Sequence, residues 1–416
     1  MTNKRKLKIC LIGKNILVQS RATDRGMLWL LAQGLSKNGH DVTIISTSSP
    51  IGKSEIFRDG IEAHYVFDGM AKMKSMSFSK AAFAKFKELH QKKCFDILHS
   101  LDDSGYEISR KKNQFHIATA YDIEATKISE IFSLLAENNG SLRSQLKTSI
   151  KVAYIFIKNY FSYDKHILDT ADGVFTTTPQ QRTILERYYL YPDYHTYTVP
   201  YGINLGDLTE QDESENFKMK LNLPDDAKII LAVSDFTNAM ESKPLLKAFQ
   251  KAVLKNANMY LILIGNGPQW KNVEYEMLKL VLGSRVIMPG EVDAKELLKY
   301  ISICAVYVNL SSKSTGLEPS LIEAMAQKKL IVGSELSPIA EFIESEVDGF
   351  LVRPADEVTL SKLLSETSLN KETSTSVGEN ARQKVLAAFN RQKMIETLTE
   401  AYYKILDKRK IKRRDS

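Results

Sequence analysis

Short apolar runs alternate with amphipathic segments along most of this chain, and no other feature limits its fold as strongly. Runs such as 41–47 are rich in β-branched residues and have the length of a buried strand, whereas residues 27–37 repeat leucines at helical spacing. Strands that alternate with helices form parallel sheets with helices packed on both faces. We therefore predict an α/β fold with mainly parallel sheets.

The same patterns locate the individual elements. The predicted strands are 6–13, 41–47, 61–67, 95–100, 116–120, 173–178, 228–234, 259–265, 285–290, 305–310, 330–333 and 349–352. The predicted helices are 27–37, 80–92, 143–168, 180–188, 245–253, 272–282, 294–304, 319–327 and 358–366. The alternation occurs twice and 416 residues are too many for one ordinary core, so we expect two domains, joined by the acidic and polar linker 207–215.

One strand-loop-helix unit, residues 313–327, has features of a phosphate-binding site. Gly316 allows a close backbone approach, Pro319 suits the first helical position, and Ser320 and Glu323 share one face of the helix. A helix start at the carboxyl end of a strand offers free N–H groups and a partial positive charge. Two interpretations stay open from this stretch alone, a ligand site and an ordinary strand-loop-helix unit.

Positive charge is concentrated at the end of the chain. The net charge is +7, and six basic side chains lie within the last nine residues: Lys408, Arg409, Lys410, Lys412, Arg413 and Arg414. The rest of the chain is nearly neutral, so we expect no nucleic-acid partner. The basic tail either contacts anionic lipid or is simply solvated.

Cysteine usage and hydropathy bear on location. Cys10, Cys94 and Cys304 are far apart and lie in or beside apolar runs, so we interpret them as reduced core thiols. No run of about 18 apolar residues is present, and residues 4–6 lead into a strand pattern rather than into an apolar signal core. We expect a cytoplasmic protein, with the basic tail as a means of peripheral contact with the inner face of the membrane.

The helix predicted at 143–168 mixes aromatic and basic side chains. They are Tyr154, Phe156, Tyr160, Phe161 and Tyr163, interleaved with Lys147, Lys151, Lys158 and Lys165. Such a mixture either lies at a membrane interface, where it would also reach a lipid-linked acceptor, or packs into the domain core. The sequence leaves both interpretations open.

Several segments, taken in order, resemble the retaining glycosyltransferases of the GT-B architecture, in particular the family 4 group that uses nucleotide sugars. They are 34–45, 171–178, 199–204, 263–268, 285–290, 313–327 and 348–352. The resemblance covers most of the chain. It implies two Rossmann-like, doubly wound parallel-sheet domains that face a cleft, the first at 1–203 and the second at 204–390, with a last helix at 391–416 packing back on the first domain.

The resemblance also implies where ligands bind. A nucleotide-sugar donor lies against the second domain, and a glycan, lipid-linked or protein acceptor lies against the first. Amides of Gly316 and Leu317 and the helix start near Ser320 hold the diphosphate, while Glu323 accepts from the ribose. The chain contains no Asp-x-Asp pair and no cluster of His or Cys, so we expect neither a metal ion nor another cofactor.

Other residues complete the implied site. The backbone of three consecutive residues flanks the base: Arg285, Val286 and Ile287. Gly265 belongs to the glycine-containing segment 263–268, and Gly13 ends the first predicted strand. We interpret His99 and His116 as structural, because single histidines beside apolar strands usually pack and hydrogen-bond locally.

The second domain departs from the family pattern at two positions. The residue eight before Glu323 is Thr315 rather than a second glutamate, and Glu318 is nearer but not equivalent. After the first strand of this domain, Asp235 stands where the family carries an arginine for the diphosphate. Lys243, a few residues further on, restores one positive charge and is a candidate catalytic residue.

The first domain departs from the pattern as well. Its first loop, 15–26, lacks the usual Gly-Gly pair and carries Arg21 and Arg25. These arginines either hold an anionic acceptor or phosphate, or form surface ion pairs. Tyr121 and Asp122 stand where a His-Asp pair is expected, which leaves Asp122 as the candidate catalytic contact.

The sequence thus supports three hypotheses. The first is a retaining glycosyltransferase that transfers a sugar from a nucleotide-sugar donor to an envelope glycan, lipid or protein acceptor. The second is a catalytically inactive GT-B protein that binds a nucleotide or another ligand as a regulator or scaffold, which the departures at expected contact positions motivate. The third is a related GT-B enzyme such as a sugar-nucleotide epimerase or a phosphorylase.

Overall fold

The computed structural model describes residues 5–14, 27–47, 53–67, 77–123, 131, 146, 149–154, 163–200, 202, 214–236, 239–311, 318–336, 338–353, 355–367 and 371–414. They form two compact units. One comprises the described residues of Met1–Ile131, Leu142–Tyr201 and Arg391–Ser416, and the other those of Gly202–Asn390. The chain therefore returns to the first unit for its last helix.

In the described part of the first unit, eight strands form one sheet. They are β1 (Lys8–Ile12), β2 (Asp41–Ser46), β3 (Glu55–Arg58), β4 (Ile61–Tyr65), β5 (Ile97–Ser100), β6 (Ala118–Asp122), β7 (Gly173–Thr176) and β8 (Thr196–Thr198). Their order is β3-β4-β2-β1-β5-β6-β7-β8. Every neighbouring pair is parallel except β3 and β4.

In the described part of the second unit, six strands form an all-parallel sheet. They are β9 (Lys228–Val233), β10 (Met259–Ile264), β11 (Val286–Gly290), β12 (Val306–Asn309), β13 (Leu330–Ser334) and β14 (Phe350–Val352). Their order is β11-β10-β9-β12-β13-β14. The central strands are almost entirely apolar and buried, as expected when helices cover both faces of a sheet.

Helices connect the strands. In the described part of the first unit, the helices before the last one include α1 (Met27–Lys37), α2 (Phe78–Lys93), α3 (Tyr106–Arg110), α4 (Lys112–Phe115), α5 (Tyr163–Thr170) and α6 (Pro179–Tyr189). The described helices of the second unit include α7 (Ser214–Lys220), α8 (Ala239–Val253), α9 (Trp270–Lys279), α10 (Ala294–Ile303), α11 (Pro319–Ala326), α12 (Ile339–Phe342), α13 (Glu357–Thr367) and α14 (Lys371–Ala388). The last helix, α15 (Arg391–Arg414), belongs to the first unit.

Helix α15 completes the core of the first unit. Its buried apolar side chains are Met394, Ile395, Leu398, Ala401, Tyr402 and Ile405. Gly34 in α1 and Gly173 in β7 allow its close approach, because a Cβ at either position would lie 2.4 Å from a side-chain carbon of Ile395 or Ile405. These contacts give a packing reason for two glycines in the segments that carry the family resemblance.

An ionic cluster joins α15 to the sheet. Asp172 Oδ1 lies 2.7 Å from Lys112 Nζ, and its Oδ2 accepts hydrogen bonds from Arg409 Nη1 at 2.8 Å and from Thr119 N at 3.0 Å. Only 10% of the Arg409 side chain is exposed. Lys408 Nζ lies 5.2 and 5.6 Å from the centres of two tyrosine rings. Neither interpretation of the basic tail, lipid contact or a solvated tail, describes these two residues.

The two parallel sheets confirm the predicted α/β fold, whereas several predicted boundaries were wrong. Helix α8 begins at Ala239 rather than at 245 and contains Pro244. Helix α7 begins at Ser214, so the expected linker is helical at its end, and residues 207–213 lie outside the described residues. Strand β3 was not predicted because its side chains are mostly exposed and it pairs antiparallel with one neighbour at the sheet edge.

The prediction of three core thiols is wrong for one of them. Cys10 and Cys304 are buried, and burial raises the pKa of the Cys304 thiol to about 11. Cys94 is exposed, because it follows α2 in a left-handed conformation with φ 51° that turns the chain out of the helix.

The core interpretation of the segment 143–168 is wrong at three described positions and correct at two others. Three large apolar side chains are mostly exposed, namely Leu146 (65%), Ile150 (63%) and Tyr154 (62%). Their spacing of four residues places them on one side of a helix. Further along, Ile167 and Leu168 in α5 are buried, and most of the intervening aromatic residues lie outside the described residues.

Candidate functional site

The second sheet reverses its strand order between β9 and β12. From β9 the chain proceeds outward through β10 and β11, and from β12 it proceeds through β13 and β14 in the opposite direction. In open parallel sheets, ligands bind in the crevice outside the carboxyl ends of the strands at such a reversal. The connection from β12 to α11 starts there, so the strand-loop-helix unit noted in the sequence lies at this position.

Hydrogen bonds hold the start of α11 against β12. Tyr307 Oη donates to Ser320 Oγ at 2.7 Å, and Asn309 Nδ2 donates to Glu318 Oε2 at 3.1 Å. The Asn309 Oδ1 accepts from the backbone N–H of Ser311 at 3.0 Å. The strand end, the beginning of the loop and the helix start are therefore linked by side chains within a short stretch of sequence.

Two polar side chains of α11 are buried at this position. Ser320 is 5% exposed and Glu323 is 6% exposed. Burial raises the pKa of Tyr307 well above its usual value, and the negative charges of Glu318 and Glu323 act in the same direction. Tyr307 therefore remains protonated and keeps donating to Ser320. A carboxylate in the first turns of a helix can accept hydroxyl hydrogen bonds beside N–H groups that bind an anion.

The loops after β9 and β10 pack tightly against each other at the carboxyl ends of the strands. Gly265 has φ +126°, and a Cβ there would lie 1.8 Å from the carbonyl oxygen of Ser234. A Cβ on Gly267 would lie 1.8 Å from the carbonyl oxygen of Asp235. The Gly265 N–H donates to the carbonyl of Gly290 at the end of β11 at 2.9 Å. Only glycine fits at these two positions, and the contact fixes the backbone of Asp235 at the candidate site.

The other residues predicted for the second domain are spread along the sheet. Lys243 is half-buried in the second turn of α8, a helix that starts at the same edge. Arg285 and Val286 lie at the amino end of β11, and Ile287 is next along the strand. The structure therefore does not bring these three residues to the carboxyl end of the sheet, and their contact with a base stays a prediction. Gly290 is the residue of β11 that reaches the candidate site.

The first sheet reverses its strand order between β1 and β5. Gly13 follows β1 at this reversal, where its carbonyl accepts from Ser46 Oγ at 2.8 Å. A Cβ on Gly13 would lie 3.3 Å from the Cβ of Leu101, the residue after β5. The backbone N–H of Lys14 donates to Asp102 Oδ2 at 2.8 Å. The beginnings of these two loops are therefore held together.

A chain of hydrogen bonds connects β5, β6 and α15. His99 Nε2 lies 2.8 Å from Asp122 Oδ1, and His99 Nδ1 lies 2.6 Å from the hydroxyl of Tyr402. His99 is 1% exposed, while the Asp122 side chain is 22% exposed. The Phe175 ring packs against His99, with ring centres 4.9 Å apart. We name these three polar residues, His99, Asp122 and Tyr402, the polar triad.

A small pocket of about 30 Å³ opens beside the polar triad. Its lining is Leu31, His99, Asp122, Ile123, Phe175, Thr176, Thr177, Val199, Met394 and Leu398. The walls are mostly apolar, and Asp122 supplies a carboxylate. No Lys or Arg belongs to this lining, so within the described part of the chain the pocket offers no cationic side chain to an anionic ligand.

Five predicted site residues lie outside the described residues: Arg21, Arg25, Thr315, Gly316 and Leu317. Among the residues that the structure does describe, no group of three or more His, Cys, Asp or Glu side chains is arranged to hold a metal ion. None of the helices in that part of the chain is both long and apolar enough to cross a membrane.

Comparison with known proteins agrees with this architecture. Residues 213–384 match the family described as "Glycosyl transferases group 1". The N-acetyl-alpha-D-glucosaminyl L-malate synthase of Bacillus anthracis is 22% identical over 379 residues, which cover 90% of this chain and 92% of that protein. The alpha-monoglucosyldiacylglycerol synthase of Acholeplasma laidlawii is 24% identical over 372 residues, which cover 84% and 86%.

Solved structures extend the comparison over both units. Sucrose-phosphate synthase from Thermosynechococcus elongatus has a TM-score of 0.75 at 20% identity, covering 97% of this chain and 100% of that one. Anabaena HepE in complex with UDP-glucose has a TM-score of 0.73 at 12% identity, covering 95% and 98%. The family match and the relatives indicate a glycosyltransferase, and the solved structures share its GT-B fold.

The family match, residues 213–384, includes the described second-unit site and none of the polar triad. Tyr307 and Asn309 were not predicted from the sequence, although an asparagine that ends an apolar strand before a loop is a usable signal. Tyr402 was not predicted either, and its partner His99 lies 303 positions away. No local pattern indicates that pairing.

Proposed function

We propose that this GT-B glycosyltransferase is a retaining enzyme that moves a sugar from a nucleotide-sugar donor to a hydroxyl of an envelope glycan, lipid or protein. The observation that carries the donor assignment is the buried Glu323 in α11, at the strand-order reversal of the second sheet. Its carboxylate accepts from the ribose, and the N–H groups at the helix start bind the diphosphate.

Two kinds of comparison support a nucleotide-sugar donor. The family match contains the second-unit site, and Anabaena HepE, which shares the fold, was crystallised with UDP-glucose. The acceptor lies against the first unit in this proposal. The name of the Bacillus anthracis relative refers to L-malate and that of the Acholeplasma laidlawii relative to a diacylglycerol. The fold thus serves acceptors of different classes.

The proposed reaction uses no metal ion. The negative charge of the diphosphate is balanced by the start of α11, by loop amides and by Lys243 in α8. Turnover that is unchanged by excess EDTA is the expected result. Loss of turnover with EDTA and its return with added magnesium would overturn this part of the proposal.

Asp235 favours a second candidate function, a catalytically inactive GT-B protein that binds a nucleotide or another ligand. Its backbone is fixed at the candidate site. A carboxylate about 4 Å from a phosphate oxygen costs about 4 kcal/mol at an effective dielectric constant of about 20. Replacement of Asp235 by Asn would then strengthen diphosphate binding, whereas an enzyme adapted to Asp235 would lose turnover.

The test combines binding and turnover. The protein is incubated with UDP-, GDP- and ADP-linked glucose, N-acetylglucosamine and mannose, and both thermal stability and nucleotide release are followed. A donor at ten times its Kd should add about 1.4 kcal/mol to the free energy of unfolding. Absence of stabilisation and of turnover with every donor would overturn the enzyme assignment, and stabilisation without turnover would support the inactive alternative.

A matched pair of variants tests the site. Glu323→Gln removes the buried carboxylate and should weaken donor binding by about 10- to 100-fold, because hydrogen bonds to charged groups contribute about 1.5–3 kcal/mol. Glu366→Gln changes an exposed glutamate in α13, whose side chain is 62% exposed, and should leave donor binding unchanged. Equal donor affinity in the two variants would remove Glu323 from the site.

A further inference from the structure

The polar triad has a fixed direction of proton donation. The Asp122 carboxylate can only accept, so the Nε2 of His99, 2.8 Å away, carries the proton. In the neutral ring Nδ1 is then an acceptor, and the hydroxyl of Tyr402 donates to it at 2.6 Å. Burial raises the pKa of Tyr402 well above its usual value, and the charge of Asp122 adds to this, so Tyr402 stays a donor.

Geometry holds the imidazole in one orientation. His99 is 1% exposed, the Phe175 ring lies 4.9 Å from it, and the Tyr402 ring meets it edge-on at 5.7 Å. The Oδ1 of Asp122 is occupied by His99, whereas its Oδ2 has no hydrogen-bond partner within the described part of the chain. One oxygen of the carboxylate is therefore fixed by His99, and the side chain is partly exposed.

We propose that Asp122 binds the hydroxyl group of the acceptor and that His99 and Tyr402 are positioning residues for this carboxylate. The inference rests on the proposed function and deepens it. The pocket beside Asp122 has mostly apolar walls, no cationic side chain belongs to its described lining, and the Asp122 carboxylate itself repels an anion. The group that enters it is a neutral hydroxyl carried on carbon, as in a sugar or a glycerol unit, rather than a carboxylate or a phosphate.

The arrangement gives α15 a role in the site. Tyr402 lies in the middle of this helix, and it reaches β5 across 303 positions of sequence. A hydroxyl bound by Asp122 would donate to Oδ2 while Oδ1 keeps its bond to His99. Without the Tyr402 hydroxyl, the imidazole can adopt the other tautomer, in which Nε2 no longer donates and Asp122 loses its support.

Neighbouring tyrosines of α15 provide a matched test. Tyr402 and Tyr403 each make a 2.6 Å hydrogen bond through the hydroxyl, Tyr402 with His99 and Tyr403 as donor to the carbonyl of Arg5. Tyr402→Phe and Tyr403→Phe each remove one hydroxyl and keep the ring. Only the first should disturb Asp122.

The first measurement uses ¹⁵N spectra of histidine-labelled full-length protein, with His99→Gln to assign the signals. The wild type and Tyr403→Phe should show His99 with the proton on Nε2, and Tyr402→Phe should show a mixture of tautomers. An unchanged His99 spectrum in Tyr402→Phe would overturn the positioning role of Tyr402. This measurement needs neither donor nor acceptor.

The second measurement is turnover of the donor identified in the nucleotide-sugar panel, with glycerol as the hydroxyl probe and glycerol 3-phosphate as its anionic counterpart. Tyr402→Phe should lower the turnover number to glycerol about tenfold at unchanged donor affinity, and Asp122→Asn should lower it further. Equal turnover in Tyr402→Phe and Tyr403→Phe, or a preference for glycerol 3-phosphate that requires Asp122, would overturn the proposal. If the wild type turned over no donor, the proposed function would fail together with the hydroxyl-binding role, and the spectra would still decide whether Tyr402 positions His99.

Discussion

The two units place polar side chains at the carboxyl ends of their strands in different ways. In the second unit, Tyr307, Asn309, Glu318, Ser320 and Glu323 belong to one strand-loop-helix unit. In the first unit, the polar triad combines two strands with a helix from the end of the chain. One site is local in sequence, and the other depends on the whole unit being folded.

This difference predicts how each site responds to change. A local site depends on a few hydrogen bonds near the altered residue, so a substitution there should change ligand binding with a small effect on stability. A site assembled from distant segments depends on the packing of those segments, so changes in α15 should alter stability and the polar triad together.

The largest expected effect is that of removing α15. Truncation after Asn390 uncovers the core surface on which six apolar side chains of α15 are buried. At about 1.5–3 kcal/mol for each large side chain, the loss is on the order of 10 kcal/mol, comparable with the whole stability of a domain. Thermal unfolding should lose the transition of the first unit and keep that of the second. A truncated protein with both transitions intact would contradict the assignment of α15 to the first core.

The ionic cluster at Asp172 should have the next largest effect. Asp172→Ala removes the carboxylate between Lys112 and Arg409 and should lower the free energy of unfolding by about 3 kcal/mol. The reason is that the largely buried positive charges of these two side chains lose their shared partner. The control is Asp103→Ala, because Asp103 pairs with Lys14 where both side chains are nearly half exposed, and the cost should be below about 1 kcal/mol. Equal costs in urea denaturation would show that the cluster does not hold α15.

Close packing of α15 on α1 gives a smaller effect. Gly34→Ala places a Cβ 2.4 Å from Ile395 and should destabilise the first unit by about 1–3 kcal/mol. Gly283→Ala is the control, because a Cβ there meets nothing within 4 Å. If Gly34→Ala were as stable as Gly283→Ala, the stability of the first unit would not depend on the close approach of α15 to α1.

The smallest effect belongs to the local site. Tyr307→Phe removes the hydrogen bond to Ser320 and should cost about 1 kcal/mol, while weakening donor binding and leaving the His99 spectrum unchanged. Tyr300→Phe is the control, because the structure shows no hydrogen bond of that hydroxyl within its described residues. A change in the His99 spectrum of Tyr307→Phe would remove the distinction between the two sites.

The sequence predicted what local patterns can encode. Alternating strands and helices predicted the α/β fold, and the start of α11 at Pro319 was predicted because the signals of a helix start are adjacent in sequence. Arg285 and Val286 begin the predicted strand β11 and therefore lie at its amino end, away from Gly290, so their role beside a base stays a prediction. The partnership of His99 with Tyr402 was missed because it depends on tertiary packing, and Cys94 was misplaced because helix capping overrode its apolar character.

The assignment of the donor site to α11 is best tested by donor binding to wild-type protein and to Glu323→Gln. One nucleotide sugar should raise the unfolding free energy of the wild type by about 1.4 kcal/mol at ten times its Kd. The same concentration should give Glu323→Gln less than about half of that stabilisation, while Glu366→Gln responds like the wild type. Stabilisation of Glu323→Gln equal to that of the wild type, with equal turnover, would contradict the assignment of the donor site to α11.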